Sequence, residues 1–323
     1  MTTKDEVDSD TDYIVISSAG TGTDYGYCMG GIDGNIISTI DRITFPFDSG
    51  TATHIGNLSG SRGSAAGCNS SNYGYCMGGY CRYDGNYSSI IDRITFPFDS
   101  GIATHVGNLN KSRYHVAGCN SSNYGYSMGG YGIGPLSTID RITFPFDSGT
   151  ASYIGKLSGL KSSAAGCNSS NYGYCMGGRD SNGNNLSTID RITFPFDSGI
   201  ATHGGNLSGV RYHIAGCNSS NYGYCMGGDD GNKTSTIDQI IFPFDSGTAT
   251  HIGNLSGSRG YVVGCNSSNY GYCIGGYDSN YSSIIDRITF PFDSGTAAHG
   301  GNLSGTRRYG AGCDGTDFAT LFV

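Results

Sequence analysis

Residues 72–79 read Asn-Tyr-Gly-Tyr-Cys-Met-Gly-Gly, and residues 91–98 read Ile-Asp-Arg-Ile-Thr-Phe-Pro-Phe. The steps between successive copies of the Tyr-Gly-Tyr triplet are 48, 51, 48, 50, 48 and 48 residues. A fixed period of this length indicates stacked supersecondary units, because a single unit cannot bury its apolar faces alone. The copies begin at Tyr25, Tyr73, Tyr124, Tyr172, Tyr222 and Tyr270, with a degenerate copy at Phe318.

Each repeat predicts four short antiparallel strands. A first strand of small residues ends at Cys68, and residues 69–72, Asn-Ser-Ser-Asn, have turn chemistry. The second strand, 73–79, ends in Gly-Gly, which permits positive φ or close backbone approach. After a polar loop, a third strand over 90–98 alternates with period two, and an Asp-Ser-Gly turn leads into an outermost strand over 104–109. Four strands per repeat of about 48 residues predict a propeller blade.

The order of motifs in each repeat resembles the kelch repeat of kelch and galactose-oxidase-type propellers. The resemblance covers residues 13–323 and is clearest at Arg62 and at Gly78-Gly79. The fourth-strand tryptophan of kelch repeats is missing, since the chain contains no tryptophan. The pattern Tyr-Gly-Tyr-x-x-Gly-Gly with Ile-Asp-Arg-Ile also resembles uncharacterised repeat proteins of phage and other viral genomes, which implies a virion or tail component.

We therefore predict an all-β fold, a kelch-like β-propeller with six full four-stranded repeats plus a partial seventh. It forms a single domain over 13–323 behind an acidic tail over 1–12. Two closures of the ring are possible. In the first, strands from both chain ends share one sheet and six blades form. In the second, the degenerate segments 13–17 and 318–323 add strands, so that seven inner strands surround the axis. Because an unpaired apolar edge at 318–323 would favour aggregation, both ends are expected inside the ring or paired with a neighbouring subunit. We prefer the seven-position ring.

Charge and composition restrict the partners and the location. The net charge of −8 argues against nucleic acid or an anionic membrane as the partner. The first eight residues lack the basic and apolar regions of a signal peptide. No apolar run approaches the roughly 18 residues of a membrane helix. We expect no nucleic-acid partner, no membrane insertion, and a location in a reducing cytoplasm or in a virion.

The cysteines stand at two repeat positions, eight residues apart where both are present, so a cross-strand disulfide is sterically conceivable. Some repeats have only one member of the pair; Cys119, for example, faces Ser127. Because some repeats lack one of the two cysteines, we predict that the cysteines are small, reduced core side chains and not members of an essential disulfide. No C-x-x-C motif or histidine cluster indicates zinc, and we expect no metal and no cofactor.

The loop after Gly-Gly and the loop entering the next first strand open on the same face of a propeller. The Asn-Ser-Ser-Asn and Asp-Ser-Gly turns barely change between repeats, whereas the loop after Gly-Gly changes in length and content. This divergence predicts a varied binding surface on a rigid scaffold, with neutral drift of exposed loops as the alternative. Its aromatic and basic residues are types favoured in recognition surfaces. The candidates are Tyr80, Arg82, Tyr83, Tyr87, Tyr131, Arg179, Tyr277 and Tyr281.

A basic ring is predicted on the same face, because one cation stands six residues before each first-strand cysteine. Its members are Arg62, Arg113, Lys161, Arg211, Arg259 and Arg307. Converging cations would bind a carboxylate, a phosphate or a sialic-acid-like anion. The alternative, which we prefer, is that each cation bonds carbonyls or acidic residues of the adjoining loop, as in kelch blades.

The repeated Asp-Arg pair of the third strand, such as Asp92-Arg93, sends its side chains to opposite faces and is expected to link adjacent blades. No catalytic or phosphate-binding motif is present, and regular repetition argues against the local asymmetry of an active site. We therefore expect a non-enzymatic structural or recognition propeller. It is a viral or phage virion component whose variable-loop face binds a host glycan or protein, with the terminal strands as a surface for self-assembly. The alternative is an intracellular kelch-type protein-interaction scaffold.

Overall fold

The computed structural model describes residues 24–81 and 87–315. Within these two ranges the chain forms short β-strands and no helix. The strands make six sheets, each with four main antiparallel strands. The inner strands of successive sheets contact one another in a closed circle. The described residues form a β-propeller, as the repeat predicts, and it has six blades.

The four strands of each blade follow the predicted order from the axis outward. Inner strands, from blade 1 to blade 6, are Ala311–Asp314, Ala66–Asn69, Ala117–Asn120, Ala165–Asn168, Ala215–Asn218 and Val263–Asn266. Second strands are Tyr25–Ile32, Tyr73–Tyr80, Tyr124–Met128, Tyr172–Met176, Tyr222–Met226 and Tyr270–Ile274. Third strands are Ile36–Thr44, Tyr87–Thr95, Thr138–Thr143, Thr188–Thr193, Thr236–Ile241 and Ile284–Thr289. Outer strands are Thr53–Asn57, Thr104–Asn108, Ser152–Lys156, Thr202–Asn206, Thr250–Asn254 and Ala298–Asn302. Two two-residue strands, Gly101–Ile102 and Gly295–Thr296, pair in parallel with the outer strand of the preceding blade, Thr53–Asn57 and Thr250–Asn254 respectively.

The ring is closed by strands from both ends of the chain. Ala311–Asp314 pairs antiparallel with Tyr25–Ile32 and fills the inner position of blade 1. The preferred seven-position ring is therefore wrong for the described residues, where six inner strands surround the axis. The acidic tail and the segments predicted for a partial seventh blade, 13–17 and 318–323, lie outside the described residues.

Each blade is fastened to the next by a buried tyrosine of its second strand. Tyr75 is fully buried, and its hydroxyl accepts a hydrogen bond of 3.0 Å from the backbone N–H of Phe146 in the next blade. Its ring stacks on Phe144 with centroids 5.2 Å apart. Such pairs contribute about 0.5–1.5 kcal/mol beyond area burial. The equivalent tyrosines, Tyr27, Tyr126, Tyr174, Tyr224 and Tyr272, make the same two contacts.

The third-strand arginines also link adjacent blades, as the sequence predicts. Arg93 forms an ion pair with Asp147 in the Asp-Ser-Gly turn of the next blade, and its guanidinium lies 4.4 Å from the ring centre of Tyr73. In blade 5, Gln239 stands in place of arginine and donates to the carbonyl of Phe292. The other pairs are Arg42–Asp99, Arg141–Asp197, Arg191–Asp245 and Arg287–Asp48.

Glycine at the second position of each inner strand sets how closely the blades approach the axis. A Cβ atom built on Gly166 would lie 2.0 Å from the carbonyl oxygen of Gly118 in the preceding blade. The neighbouring atoms are backbone atoms, which have no rotamer through which to withdraw. The same contact, at 1.8–2.2 Å, recurs around the circle at Gly67, Gly118, Gly216, Gly264 and Gly312. The six inner strands therefore meet through glycine backbone.

The cysteines are free thiols, and eleven of them are buried. In blade 2 the register pairs Cys68 with Tyr75 and Gly67 with Cys76, so the two cysteines point to opposite faces of the sheet. Cys68 packs between blades 2 and 3, whereas Cys76 packs between blades 1 and 2. The conceivable disulfide within a repeat is therefore not formed, and burial raises the pKa of the Cys28 thiol to about 11. The prediction that the cysteines are small core side chains is confirmed for the eleven buried ones.

Candidate functional site

The loops after Gly-Gly and the connections between blades lie on one face, called here the mouth face. Gly78 and Gly79 have φ of 70° and 118°. A Cβ on Gly78 would lie 2.6 Å from the carbonyl oxygen of Arg113, so glycine permits both the backbone turn and the close approach. The residue after Gly-Gly is then paired with the residue after the repeat cation, as in the bridge between Tyr131 and Tyr114. This pairing brings two variable positions together in each blade.

The predicted basic ring is enclosed in the blades and does not converge at the mouth. Arg62 is 1% exposed, and its Nη2 lies 2.9 Å from the carboxylate of Asp92 on the third strand of the same blade. It also donates to the carbonyl of Cys76. The other pairs are Arg113–Asp140, Lys161–Asp190, Arg211–Asp238, Arg259–Asp286 and Arg307–Asp41. In the preferred alternative each repeat cation bonds carbonyls or acidic residues, and the observed partners are of these types. The carboxylates, however, belong to the third strand and not to the adjoining loop.

Blade 3 differs from the others at its buried ion pair. In five blades a serine gives the buried aspartate both its backbone N–H and its hydroxyl; Ser59, for example, does so for Asp92. In blade 3 Asn110 stands at this position and gives Asp140 only its backbone N–H. The Oδ1 atom of Asp140 is left buried without a hydrogen bond. Burial raises the pKa of Asp140 despite the neighbouring Arg113.

Replacement of Asn110 by serine is expected to stabilise the protein by about 1–2 kcal/mol, because it supplies the missing donor to a buried charge. Urea denaturation should show a higher midpoint with an unchanged slope. The control is Ser208→Asn in blade 5, which removes the equivalent donor to Asp238 and should destabilise by a similar amount. A lower midpoint for Asn110→Ser would contradict the assignment.

The channel is bordered on the mouth face by six residues with left-handed backbone, called here the mouth ring. Its members are Ser64, His115, Ser163, His213, Tyr261 and Tyr309, with φ between 54° and 63°. The N–H of each donates to the carbonyl of its counterpart in the preceding blade, over 2.7–3.0 Å. These six bonds form a closed circle around the axis. The circle holds in place a conformation that non-glycine residues seldom adopt.

Four side chains of the mouth ring meet over the channel. The ring centres of His115 and His213 are 4.8 Å apart, and each lies 5.1 Å from that of Tyr309. Tyr261 lies 4.2 Å from His213 and 4.8 Å from Tyr309. Burial lowers the pKa of both imidazoles, and His115, Lys233 and Arg308 lower that of His213 further. The histidines are therefore neutral at pH 7.

Acidification from pH 7 to pH 5 is expected to destabilise the protein through these two imidazoles. Their pKa in the folded state lies below the unfolded value of about 6.5, so the unfolded chain binds more protons as the pH falls. Stability is lost as the pH falls below about 6.5. Urea midpoints at the two pH values should differ less for a His115→Gln/His213→Gln variant than for the wild type. His251→Gln, at an exposed outer-strand position, should keep the wild-type difference between the two midpoints. The same difference in all three proteins would contradict the expectation.

Three of the predicted loop residues form an aromatic group, called here the tyrosine cluster: Tyr80, Tyr87 and Tyr131, with Tyr114. The ring of Tyr114 lies 4.9 Å from Tyr87, 5.5 Å from Tyr131 and 5.6 Å from Tyr80. All four side chains are partly exposed. The predicted residues Arg82 and Tyr83 lie outside the described residues.

The remaining predicted loop residues lie on the other side of the mouth. The guanidinium of Arg179 is 5.0 Å from the ring centre of Tyr212 and donates to the carbonyl of Gly183. Tyr277 and Tyr281 have ring centres 5.6 Å apart, and Tyr277 also meets Tyr261 of the mouth ring. The structure thus places these residues at one entrance, in contact with side chains that the loop pattern did not identify.

The two positions after each repeat cation carry side chains that sequence reasoning missed. They read Gly-Ser, Tyr-His, Ser-Ser, Tyr-His, Gly-Tyr and Arg-Tyr around the ring. This variation is as marked as that of the loops and was a usable signal. The sequence pattern places these residues in the predicted first strand, so their variation does not by itself indicate a mouth position. The structure begins the inner strand of blade 2 only at Ala66, so Gly63 and Ser64 belong to the mouth.

The opposite end of the channel is uniform. The backbone N–H of Asn120 donates to Oδ1 of Asn168 over 3.2 Å, and the pattern continues from blade to blade. Between blades 1 and 2 the side-chain amide of Asn69 donates to Asp314. The remaining bonds of this circle have distances of 3.1–3.4 Å. The cavity along the axis, about 150 Å³, is lined by the inner strands and the mouth ring.

No protein-family model and no curated protein sequence matches the chain. Among solved structures, the chain is similar to the protein in "Structure of YjhT", with a TM-score of 0.64 and 13% identity. The alignment covers 78% of this chain and 90% of that one. At this identity the likeness supports the propeller fold alone. No helix in the described residues is long and apolar enough to cross a membrane.

Proposed function

We propose that this propeller is a non-enzymatic recognition module of a virion, and that its mouth face binds a host glycan or protein. The observation that carries the proposal is the concentration of partly exposed tyrosine, histidine and arginine side chains at one entrance of the channel. Tyrosine and arginine supply large contact areas and hydrogen bonds in binding surfaces. The virion assignment rests on the resemblance of the repeat to viral repeat proteins.

The contrast between the two faces supports the proposal. The far face repeats the same turns and the same asparagine circle in nearly every blade. The mouth face departs from six-fold repetition in both of its variable positions. A scaffold that needed only to fold would not require this difference. We infer that the mouth face is the functional surface.

The proposal is tested by a glycan array and a pull-down from host extracts with the wild type and with Tyr87→Ala/Tyr131→Ala. The double variant is expected to bind its ligand at least tenfold more weakly, which is about 1.4 kcal/mol. Tyr153→Ala is the matched control, because Tyr153 is an exposed tyrosine of an outer strand, 49% exposed. Blank results for the wild type in both assays would refute the recognition function. A ligand found only among cytoplasmic proteins, without association with virions, would favour the intracellular scaffold.

A further inference from the structure

We infer that the guanidinium of Arg308 binds an oxyanion, a carboxylate or a sulfate, carried by an acidic glycan. The site consists of Arg308 with Tyr261, Tyr277, Tyr281 and Tyr309, called here the Arg308 box. The inference rests on the proposed function, since it names the ligand class for the same face.

Four aromatic rings position this guanidinium. Its central carbon lies 4.9 Å from the ring centre of Tyr277, 5.1 Å from Tyr261, and 5.2 Å from both Tyr281 and Tyr309. All four distances fall within the range of about 6 Å for cation–π attraction. The rings hold the cation without neutralising it. The box therefore presents an oriented positive charge at the mouth.

Arg308 has no protein partner for that charge among the described residues. Every other arginine in 24–81 and 87–315 donates to a carboxylate or a carbonyl; Arg179, for example, bonds the carbonyl of Gly183. The side chain of Arg308 makes no hydrogen bond and no ion pair, and its Nε is buried without an acceptor. The nearby Lys233 is already paired with Asp229. A ligand oxyanion would supply the missing acceptor through two parallel N–H···O bonds.

The surroundings of the box favour a sugar over an extended peptide. One recurring mode of peptide binding adds an extended strand to a free sheet edge. Here the inner-strand edges are occupied at the mouth by the closed circle of hydrogen bonds that includes His115 and Tyr309. What remains partly accessible is a continuous series of ring contacts, from Tyr114 to His115 at 4.4 Å and from His115 to Tyr309 at 5.1 Å. This series connects the tyrosine cluster to the Arg308 box.

The series suits a short saccharide whose neutral ring lies on the tyrosine cluster while its anionic group reaches Arg308. Sugar C–H groups pack on aromatic faces, and tyrosine hydroxyls and neutral imidazoles bond to sugar hydroxyls. Guanidinium is the side chain best matched to planar or tetrahedral oxyanions. An acidic glycan uses both parts of the mouth at once.

The test compares ligands that differ only in the anion: the methyl glycosides of three matched trisaccharides, one of neutral glucose and two that end in glucuronic acid or in glucose 6-sulfate, titrated into the full chain and followed by calorimetry or ligand-observed NMR. The wild type is expected to bind at least one acidic glycoside tenfold or more tightly than the neutral one, and the two acidic probes separate carboxylate from sulfate. Arg308→Gln should abolish that preference. Lys156→Gln, which removes an exposed cation from an outer strand, should preserve it.

Thermal unfolding of each variant shows whether it is folded, and Arg308→Lys provides a second measurement, since it keeps the charge but loses the bidentate fork and should reduce the preference several-fold. The inference is overturned if all three glycosides bind the wild type equally, if the preference persists in folded Arg308→Gln, or if an oligoglutamate peptide binds more tightly than either acidic glycoside. Failure of the wild type to bind any of the glycosides also overturns it. The proposed function fails only if the array and the pull-down are blank as well.

Discussion

Replacement of Gly166 by alanine is expected to lower the free energy of unfolding by about 3 kcal/mol or more, at the upper end of overpacking effects. The new methyl group would lie 2.0 Å from the carbonyl oxygen of Gly118, and all three nearest atoms belong to the backbone of that residue. Relief requires an inner strand to move away from the axis, which disturbs the contacts of both neighbouring blades. The measurement is the urea midpoint and slope, or the yield of folded protein if the variant does not fold.

The control for this variant is Gly159→Ala. Gly159 lies in an exposed connection between blades, and a Cβ built on it would have no heavy atom within 4 Å. The substitution should change stability by less than about 0.5 kcal/mol, as surface changes usually do. If Gly166→Ala were as stable as the control, glycine packing would not determine the spacing of the blades.

Replacement of Asp238 by asparagine is expected to cost about 3–5 kcal/mol, because it leaves the buried cation of Arg211 without its counter-charge. Nη2 of Arg211 lies 2.8 Å from the Asp238 carboxylate, and both side chains are almost fully buried. Asp238 also accepts the hydroxyl and the backbone N–H of Ser208, at 2.7 and 2.9 Å. Chemical denaturation monitored by circular dichroism should report the loss.

An exposed ion pair of the same chain provides the comparison. Asp99→Asn removes the partner of Arg42 at an interface between blades, where the aspartate side chain is 69% exposed. Surface pairs typically contribute about 0–1 kcal/mol, so this variant should remain close to the wild type. Equal losses for the two variants would show that burial does not control the cost.

The blade architecture could be predicted because the period and the alternating third strand depend only on local sequence. The number of blades could not, since segments at both ends of the chain compete for one inner position. The choice of Ala311–Asp314 for blade 1 depends on pairing with Tyr25–Ile32, nearly three hundred residues away in the sequence. Strand ends also differ from the prediction: the third strand of blade 2, predicted over 90–98, ends at Thr95, before the Phe-Pro-Phe segment.

The candidate site was predictable in its loops but not at its centre. Divergence of the loops after Gly-Gly identified Tyr87 and Tyr131. The mouth ring could not be predicted for two reasons. The left-handed backbone at His115 is not marked by a glycine in the sequence, and the hydrogen bonds of the ring join residues of different blades. The partners of the repeat cations were also hidden, since Arg62 and Asp92 lie thirty residues apart and meet only inside the folded blade.

The late position of the strand Ala311–Asp314 has a consequence for biosynthesis. While the chain is still being made, blades 2 to 6 can assemble in order from the ribosome, but blade 1 keeps a vacant inner edge beside Tyr25–Ile32 until residues 311–314 have emerged. During that interval the edge is open to the inner strand of another nascent copy, and the five other inner strands are nearly the same tetrapeptide. Slow elongation or dense polysomes should therefore increase the fraction of strand-exchanged dimers.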